Sequence, residues 1–312
     1  LSVTDSSSAS SETSPGQSAS LSARTGLIQG LSAYMLWGVF PLYFRALADV
    51  PPMTILCHRI VWSSASLSLV IALRKEWPAI WPLVRNRRTL LLLSAGAVLI
   101  ALNWLIFIYA VSTHQVLQAS LGYFINPLVS VALGMIFLRE RLRQWQWAAV
   151  VIALVAVLNL ALRGAGFPWI AVSLALTFGF YGLVRKTVNV NSLHGLLVES
   201  SILVPVALVL LAVLPGRVPS AHDWGLLSLS GVITATPLLL FGAALRRLPL
   251  STVGFLQYIG PTLQFLVAIR LFGEPLDHLR LLSFGLCWLA IAVYVADSWI
   301  SRRPPPVEDE PE

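Results

Sequence analysis

The sequence predicts an all-α membrane protein of ten transmembrane helices, arranged as two inverted five-helix repeats. Three observations predict it: ten apolar stretches of spanning length, basic residues gathered in alternate connections, and a five-stretch pattern that recurs along the chain. Only 11% of the 312 residues are charged and 57% are hydrophobic, where a soluble domain carries roughly a quarter charged residues. The mean hydropathy of +0.78 comes from long apolar runs, with the charge confined to short clusters between them.

A helix needs about 20 mostly apolar residues to cross a bilayer. Ten stretches have that length, near residues 26–48, 54–73, 89–111, 115–138, 145–162, 167–185, 193–214, 224–245, 250–272 and 279–299. The third and fourth are joined near Thr113 and His114, and the eighth and ninth near Arg247 to Pro249, so both pairs read as tight helical hairpins. Residues 1–25 are rich in Ser and Ala and lack the basic and apolar segments of a signal peptide, which reads as a disordered tail. Residues 300–312 form a second polar tail whose prolines stop the last helix.

Basic residues accumulate on the cytoplasmic side of membrane proteins. With the N-terminus inside, 15 Lys and Arg fall on the cytoplasmic side, among them Arg74, Lys75, Arg85, Arg87, Arg88, Arg185 and Lys186. Five fall opposite (Arg45, Arg163, Arg217, Arg270 and Arg280), and Arg59 lies within a span. This bias expects a multi-pass protein of the plasma membrane (the bacterial inner membrane) with both termini cytoplasmic.

Self-comparison supplies the repeat. YFINPLVSVALGMIFLRERL in the fourth stretch matches QYIGPTLQFLVAIRLFGEPL in the ninth at an offset of 134, pairing Ile125 with Ile259, Pro127 with Pro261 and Glu140 with Glu274. At an offset of 141, WGVFPLYFR in the first stretch meets FGFYGLVRK in the sixth, pairing Gly38 with Gly179 and Leu42 with Leu183. The halves are therefore 26–162 and 163–299. Because five spans is an odd number, the second half enters the membrane upside down, the arrangement that gives carriers two equivalent closures.

These residues carry a family likeness. Two five-helix halves, each with an aromatic-x-x-Pro segment and a closing Glu, resemble the EamA family of the drug/metabolite transporter superfamily. The segments WGVFPLYF (Trp37 to Phe44), HRIVWS (His58 to Ser63), LNWLIFIYAV (Leu102 to Val111) and ASLGYFINPL (Ala119 to Leu128) are similar to its RarD branch. The resemblance implies a ten-helix transporter that uses ion or substrate gradients and no ATP, with substrates among amino acids, nucleotide-like metabolites and drugs.

Charges inside a span are costly and face a cavity or a partner. Arg59 shares a polar stripe with Ser63 and Ser66, and His58 with Trp62 forms a neighbouring i, i+4 pair. The guanidinium suits a carboxylate or phosphate held bidentately; the alternative is snorkelling to the headgroups. Glu199 is the acidic residue deepest in an apolar run, at an offset of 140 from Arg59, and is a candidate for carrying a coupling proton or for pairing with an Arg or His. Inversion separates Arg59 and Glu199 by roughly 12 Å in depth at about 1.5 Å per residue, which argues against a direct bridge between them. Trp37, Asn103, Tyr123, Asn126, Gln257 and Tyr258 complete the candidate substrate-binding set, each also able to serve as an interhelical bond or anchor. Pro127 and Pro261 are the candidate hinges.

Expected partners are a small-molecule substrate, the lipid bilayer and, if Glu199 couples transport, protons; a homodimer stays open. No nucleic acid is expected, because the basic residues punctuate apolar segments and form no water-exposed face. Cys57 and Cys287 both fall in apolar runs, so no disulfide, metal or cofactor is expected. No HExxH, GxSxG, CxxC, GxGD or P-loop pattern occurs, which speaks against an enzyme. A receptor that binds a ligand without net transport is the alternative reading.

Overall fold

The computed structural model describes residues 15–113, 115–161, 168–214, 220–272 and 278–300. Glu274, His114, Arg163, Arg217 and the tail residues 1–14 and 301–312 lie outside the described residues. All regular structure among the described residues is helical, as hydrocarbon requires of a chain that must satisfy its backbone hydrogen bonds internally.

Every apolar stretch read from the sequence is mostly helical in its described part, the first and the ninth each being broken into two helices. The first is α1 (Pro15–Gly38) followed by α2 (Phe40–Ala46), α1 beginning inside the stretch read as tail. The chain continues through α3 (Pro52–Leu73), α4 (Trp77–Arg85), α5 (Arg87–Ser112), α6 (Val116–Leu138) and α7 (Gln144–Ala161). Then follow α8 (Trp169–Thr187), α9 (Ser192–Val213), α10 (Ala221–Leu245), α11 (Leu250–Leu256), α12 (Ile259–Phe272) and α13 (His278–Ile300). Among the described residues, six helices are long and apolar enough to cross a membrane, and α7 and α13 contain shorter apolar segments.

The protein is inside-out relative to a soluble one. Leu69, Leu73, Leu91, Ile136 and Val213 are all more than half exposed, an apolar exterior that only lipid would tolerate. Small residues close the interfaces instead. Ala149, Ala153 and Ala156 of α7 are fully buried and share a cluster with Phe284, Cys287 and Ala290 of α13. Asn159 Nδ2 donates to Ser283 Oγ at 2.9 Å across the same pair, and Arg143 bridges to Asp297 at 2.7 Å at its end.

Helix α8 packs on α5 and α6, α1 packs on α10 and α12, and α3 lies between α9 and α10. Helix α6 ends at Arg139, whose φ of 56° is left-handed. That turn aims Glu140 at the start of α11, where its carboxylate accepts from Leu250 N at 2.6 Å, Ser251 N at 3.0 Å and Ser251 Oγ at 2.7 Å. A carboxylate at a helix start satisfies amides that have no partner within the helix.

The two candidate hinge prolines behave differently. Pro127 sits inside continuous α6, whereas the segment around Pro261 is broken at Gln257 and Tyr258 into α11 and α12. Pro261 has no N–H to return to the Gln257 carbonyl; Gly260 N donates there instead at 3.1 Å.

Candidate functional site

The site begins with a glycine. A Cβ at Gly231 of α10 would collide with the Trp62 carbonyl and stand 2.8 Å from Ser63 N, so only glycine lets α3 and α10 meet backbone to backbone. Ser63 Oγ donates to Gly231 O at 3.2 Å. The helices run parallel, since His58 and Trp224, each N-terminal to the crossing on its own helix, meet ring to ring at 5.1 Å.

Arg59 exploits that contact. Its Nε donates to Thr234 Oγ1 at 2.9 Å, on the residue three positions beyond Gly231. The side chain thus reaches past the crossing toward the Leu73 end of α3. Snorkelling would carry it toward the nearer end at Pro52. Its guanidinium carbon lies 5.1 Å from the Trp104 ring centroid, 5.5 Å from Phe44 and 5.9 Å from Phe40. Aromatic faces stabilise a cation without neutralising it. Neither terminal nitrogen has a hydrogen-bond partner among the described residues, and no carboxylate pairs with this arginine there. The guanidinium fork is free to grip an anion.

A second polar centre lies deeper. Glu199 of α9 is 1% exposed and accepts from Arg185 Nη1 at 3.3 Å and Tyr181 Oη at 3.2 Å. Arg185 Nη2 donates to Ser192 O at 3.2 Å. Glycines wall the pair: added Cβ atoms at Gly195 and Gly242 would crowd Arg185, and one at Gly96 would stand 2.9 Å from Glu199 Oε1. Arg185, counted with the cytoplasmic charges on sequence grounds, is only 5% exposed and forms this inner ion pair. Arg59 and Glu199 take separate partners and make no direct bridge.

Between the centres is a cavity of about 20 Å³, lined by Ser63, Trp104 and Thr234 on one side and Tyr181, Glu199 and Ser200 on the other. That is room for about one water.

The remaining candidates disperse. His58 is turned to α10, edge-on to Trp224 at 5.1 Å. Trp62 contributes its backbone to the Gly231 crossing. Trp37 packs with Tyr34, Phe178 and Phe241, the last stacked on Tyr181 at 6.1 Å. Asn103 clamps α5 to α8 through Leu174 O and Thr177 Oγ1, both at 2.9 Å. Tyr123 is the exception: 37% exposed beside Phe107, it lies close enough to Arg59 for the two to interact electrostatically. Tyr258 is buried and donates to Phe124 O at 3.3 Å. Asn126 Oδ1 and Gln257 Oε1 are buried acceptors without a hydrogen bond. Tyr34 neighbours Gln257, yet its hydroxyl makes no bond of normal geometry either. Buried acceptors of this kind are rare unless water or a ligand completes them.

Sequence reasoning missed Thr234, Phe40, Phe44, Tyr181 and Arg185 as site members. Tyr181 and Arg185 carried a usable signal, being one turn apart on one face of an apolar helix.

The fold and its polar interior define a multi-pass helical membrane protein whose charges converge on small internal spaces. The EamA-like transporter family matches residues 24–162. The chain is 45% identical over 292 residues to an uncharacterized transporter of Pseudomonas aeruginosa, covering 91% of this chain and 98% of that protein. It is 42% identical over 286 residues to Protein RarD of Escherichia coli, covering 90% and 97% respectively. The chloramphenicol-sensitive protein RarD of Pseudomonas aeruginosa is 32% identical over 289 residues, covering 89% of this chain and 95% of that one. A solved crystal structure of a protein with 17% identity superposes with a TM-score of 0.70 over 90% of this chain and 99% of its own, which speaks to the fold alone. The chain belongs to the EamA-like transporter family of the drug/metabolite transporter superfamily, as a RarD-type member.

Proposed function

We propose that the protein is a secondary-active carrier of the bacterial inner membrane that moves a small metabolite or drug bearing an anionic group, with Arg59 as the anion anchor. The observation that carries this reading is the guanidinium itself: boxed by Phe40, Phe44 and Trp104, bonded only through Nε, and without a carboxylate partner among the described residues. A cation left unneutralised within a membrane domain is costly unless a ligand completes it.

Ten spans in two inverted halves, with both termini cytoplasmic, is the architecture we assign. The helix contacts support it, because exchanging the halves maps one set of neighbours onto another. The pair α5 and α8 becomes α10 and α1; α6 and α8 becomes α12 and α1; α3 and α10 becomes α9 and α5. The pairs α7 with α13, α3 with α9 and α6 with α11 map onto themselves. Such symmetry provides alternating access around the centre, with Pro127 and Pro261 as hinges.

The test starts from a thermal-shift screen of the purified protein against amino acids, nucleotides and antibiotics, since a ligand of the folded state raises its apparent stability. With a hit reconstituted in liposomes, Arg59→Ala is expected to abolish saturable uptake at an unchanged yield of folded protein. Wild-type kinetics in that variant would remove Arg59 from the site. Binding without flux in the wild type would make the protein a receptor.

Glu199 is our candidate coupling group. It touches both the water-sized cavity and Arg185, so protonation would loosen the pair from the cavity side. Glu199→Gln is therefore expected to remove dependence of uptake on a pH gradient, and an unchanged pH profile would exclude it.

A further inference from the structure

The connection between α3 and α5 holds a feature the transport reading does not use. Lys75, with φ 56°, ends α3 in a left-handed turn, and the nine-residue helix α4 then begins at Trp77. At about 1.5 Å per residue it is far too short to span a membrane. It packs on α5 and α9 and is tied down at its start, where His194 Nε2 lies 2.7 Å from Glu76 Oε2. Ile80 is buried, while Trp77 and Trp81 are 48% and 61% exposed. Large indoles left open beside a charged turn are suited to the headgroup boundary.

Between α4 and α9 runs a groove of about 280 Å³, walled chiefly by Trp77, Ile80 and Val84 on one side and Leu197, Val198 and Ile202 on the other. Its size approaches the lower end of ligand-sized pockets, roughly 300 Å³. Flanking the groove residues along the chain are five exposed cations, Arg74, Lys75, Arg85, Arg87 and Arg88, against the one carboxylate of Glu76. Glu76 is already engaged by His194 at 2.7 Å and Arg74 at 3.8 Å. Lys75, Arg85, Arg87 and Arg88 have no ion-pair partner among the described residues, and Arg85 lies 5.4 Å over the Trp81 ring. A cluster of cations attracts an anion; an apolar groove admits a hydrocarbon chain. One molecule offers both.

We propose that this groove binds an anionic phospholipid, one acyl chain lying between α4 and α9 and the phosphate headgroup held by Arg85, Arg87 and Arg88. Basic pockets at the edges of membrane helices select such headgroups by charge. The site sits behind the inner ion pair: Leu197, Val198 and Ile202 face the groove, while Leu196, Glu199 and Ser200 of the same helix face the internal cavity. A lipid seated there braces the helix that carries Glu199.

The test uses the full chain, purified and delipidated in detergent, titrated with phosphatidylglycerol or with phosphatidylcholine of the same acyl chains and read by native mass spectrometry. Wild type is expected to retain phosphatidylglycerol preferentially. The triple variant Arg85→Gln, Arg87→Gln, Arg88→Gln is expected to lose that preference, on the order of fivefold in affinity per charge removed. Val84→Trp, which fills the groove from an exposed position, is expected to weaken binding of both lipids. Arg88→Glu alone serves as a milder version should the triple variant not yield monodisperse protein. Equal retention of the two lipids by wild type would indicate a non-selective annular shell only and overturn the proposal. So would a preference that survives the charge variants, or binding indifferent to Val84→Trp.

Discussion

Replacing Glu199 with alanine is expected to destabilise the folded protein by about 3–5 kcal/mol, the range for removing one partner of a buried ion pair. The cost comes from what is left behind. Arg185 would keep only the Ser192 carbonyl at 3.2 Å, and its Nε is already buried without a partner. It cannot swing to water, because Gly195 and Gly242 close upon its guanidinium. Chemical denaturation in detergent, followed by circular dichroism, measures the loss. Replacing both residues with methionine should cost less than either single change, since two apolar side chains leave no stranded charge. Additive losses in that cycle would show that the two charges do not depend on each other. Glu199→Gln, which keeps an acceptor for Arg185, should be milder in stability; this separates the coupling test from a folding defect.

The helices were legible in the sequence because hydrocarbon imposes one simple demand, a long apolar run, and each of the ten runs is mostly helical where described. Interruptions were less legible. The breaks after Gly38 and at Gln257 and Tyr258 are each followed by a proline, Pro41 and Pro261, with no N–H to return to the preceding turn. But Pro127, Pro205 and Pro237 sit inside continuous helices, so proline alone did not mark the breaks. Helix α4 falls between the second and third apolar stretches, where it is too short to register as a span and is flanked by cations. Its signal was nevertheless present in Trp77, Ile80, Trp81 and Val84, spaced as one helical face. Arg59 and Glu199 were readable as charges in apolar runs. Their partners were not. Thr234 is one of many hydroxyls in spans, and Arg185 stands at the end of an apolar run, where an arginine ordinarily anchors to headgroups. Its side-chain contacts with Ser192, Gly195 and Glu199 of α9 and with Gly242 of α10 turn it inward.

Gly231→Ala is expected to damage both fold and site. The added methyl meets the Trp62 carbonyl and Ser63 N, which are backbone atoms and cannot rotate aside. Helices α3 and α10 must therefore separate, at a cost of about 1–3 kcal/mol for overpacking a close interface. Separation also stretches the Ser63 to Gly231 bond, now 3.2 Å, and the Arg59 to Thr234 bond, now 2.9 Å. Gly225→Ala on the same helix is the matched control, because a Cβ there meets nothing within 4 Å. That change should be neutral or stabilising by up to about 1 kcal/mol, the helix propensity gained. Melting curves of the two variants, measured with and without a ligand from the screen, separate the effects. Gly231→Ala should lower both the melting temperature and the ligand-induced rise, since the anchor is displaced along with the helix. Gly225→Ala should leave the rise intact. Equal behaviour of the two variants would mean that the backbone contact at Gly231 does not hold Arg59 in place, and the anion anchor would need another support.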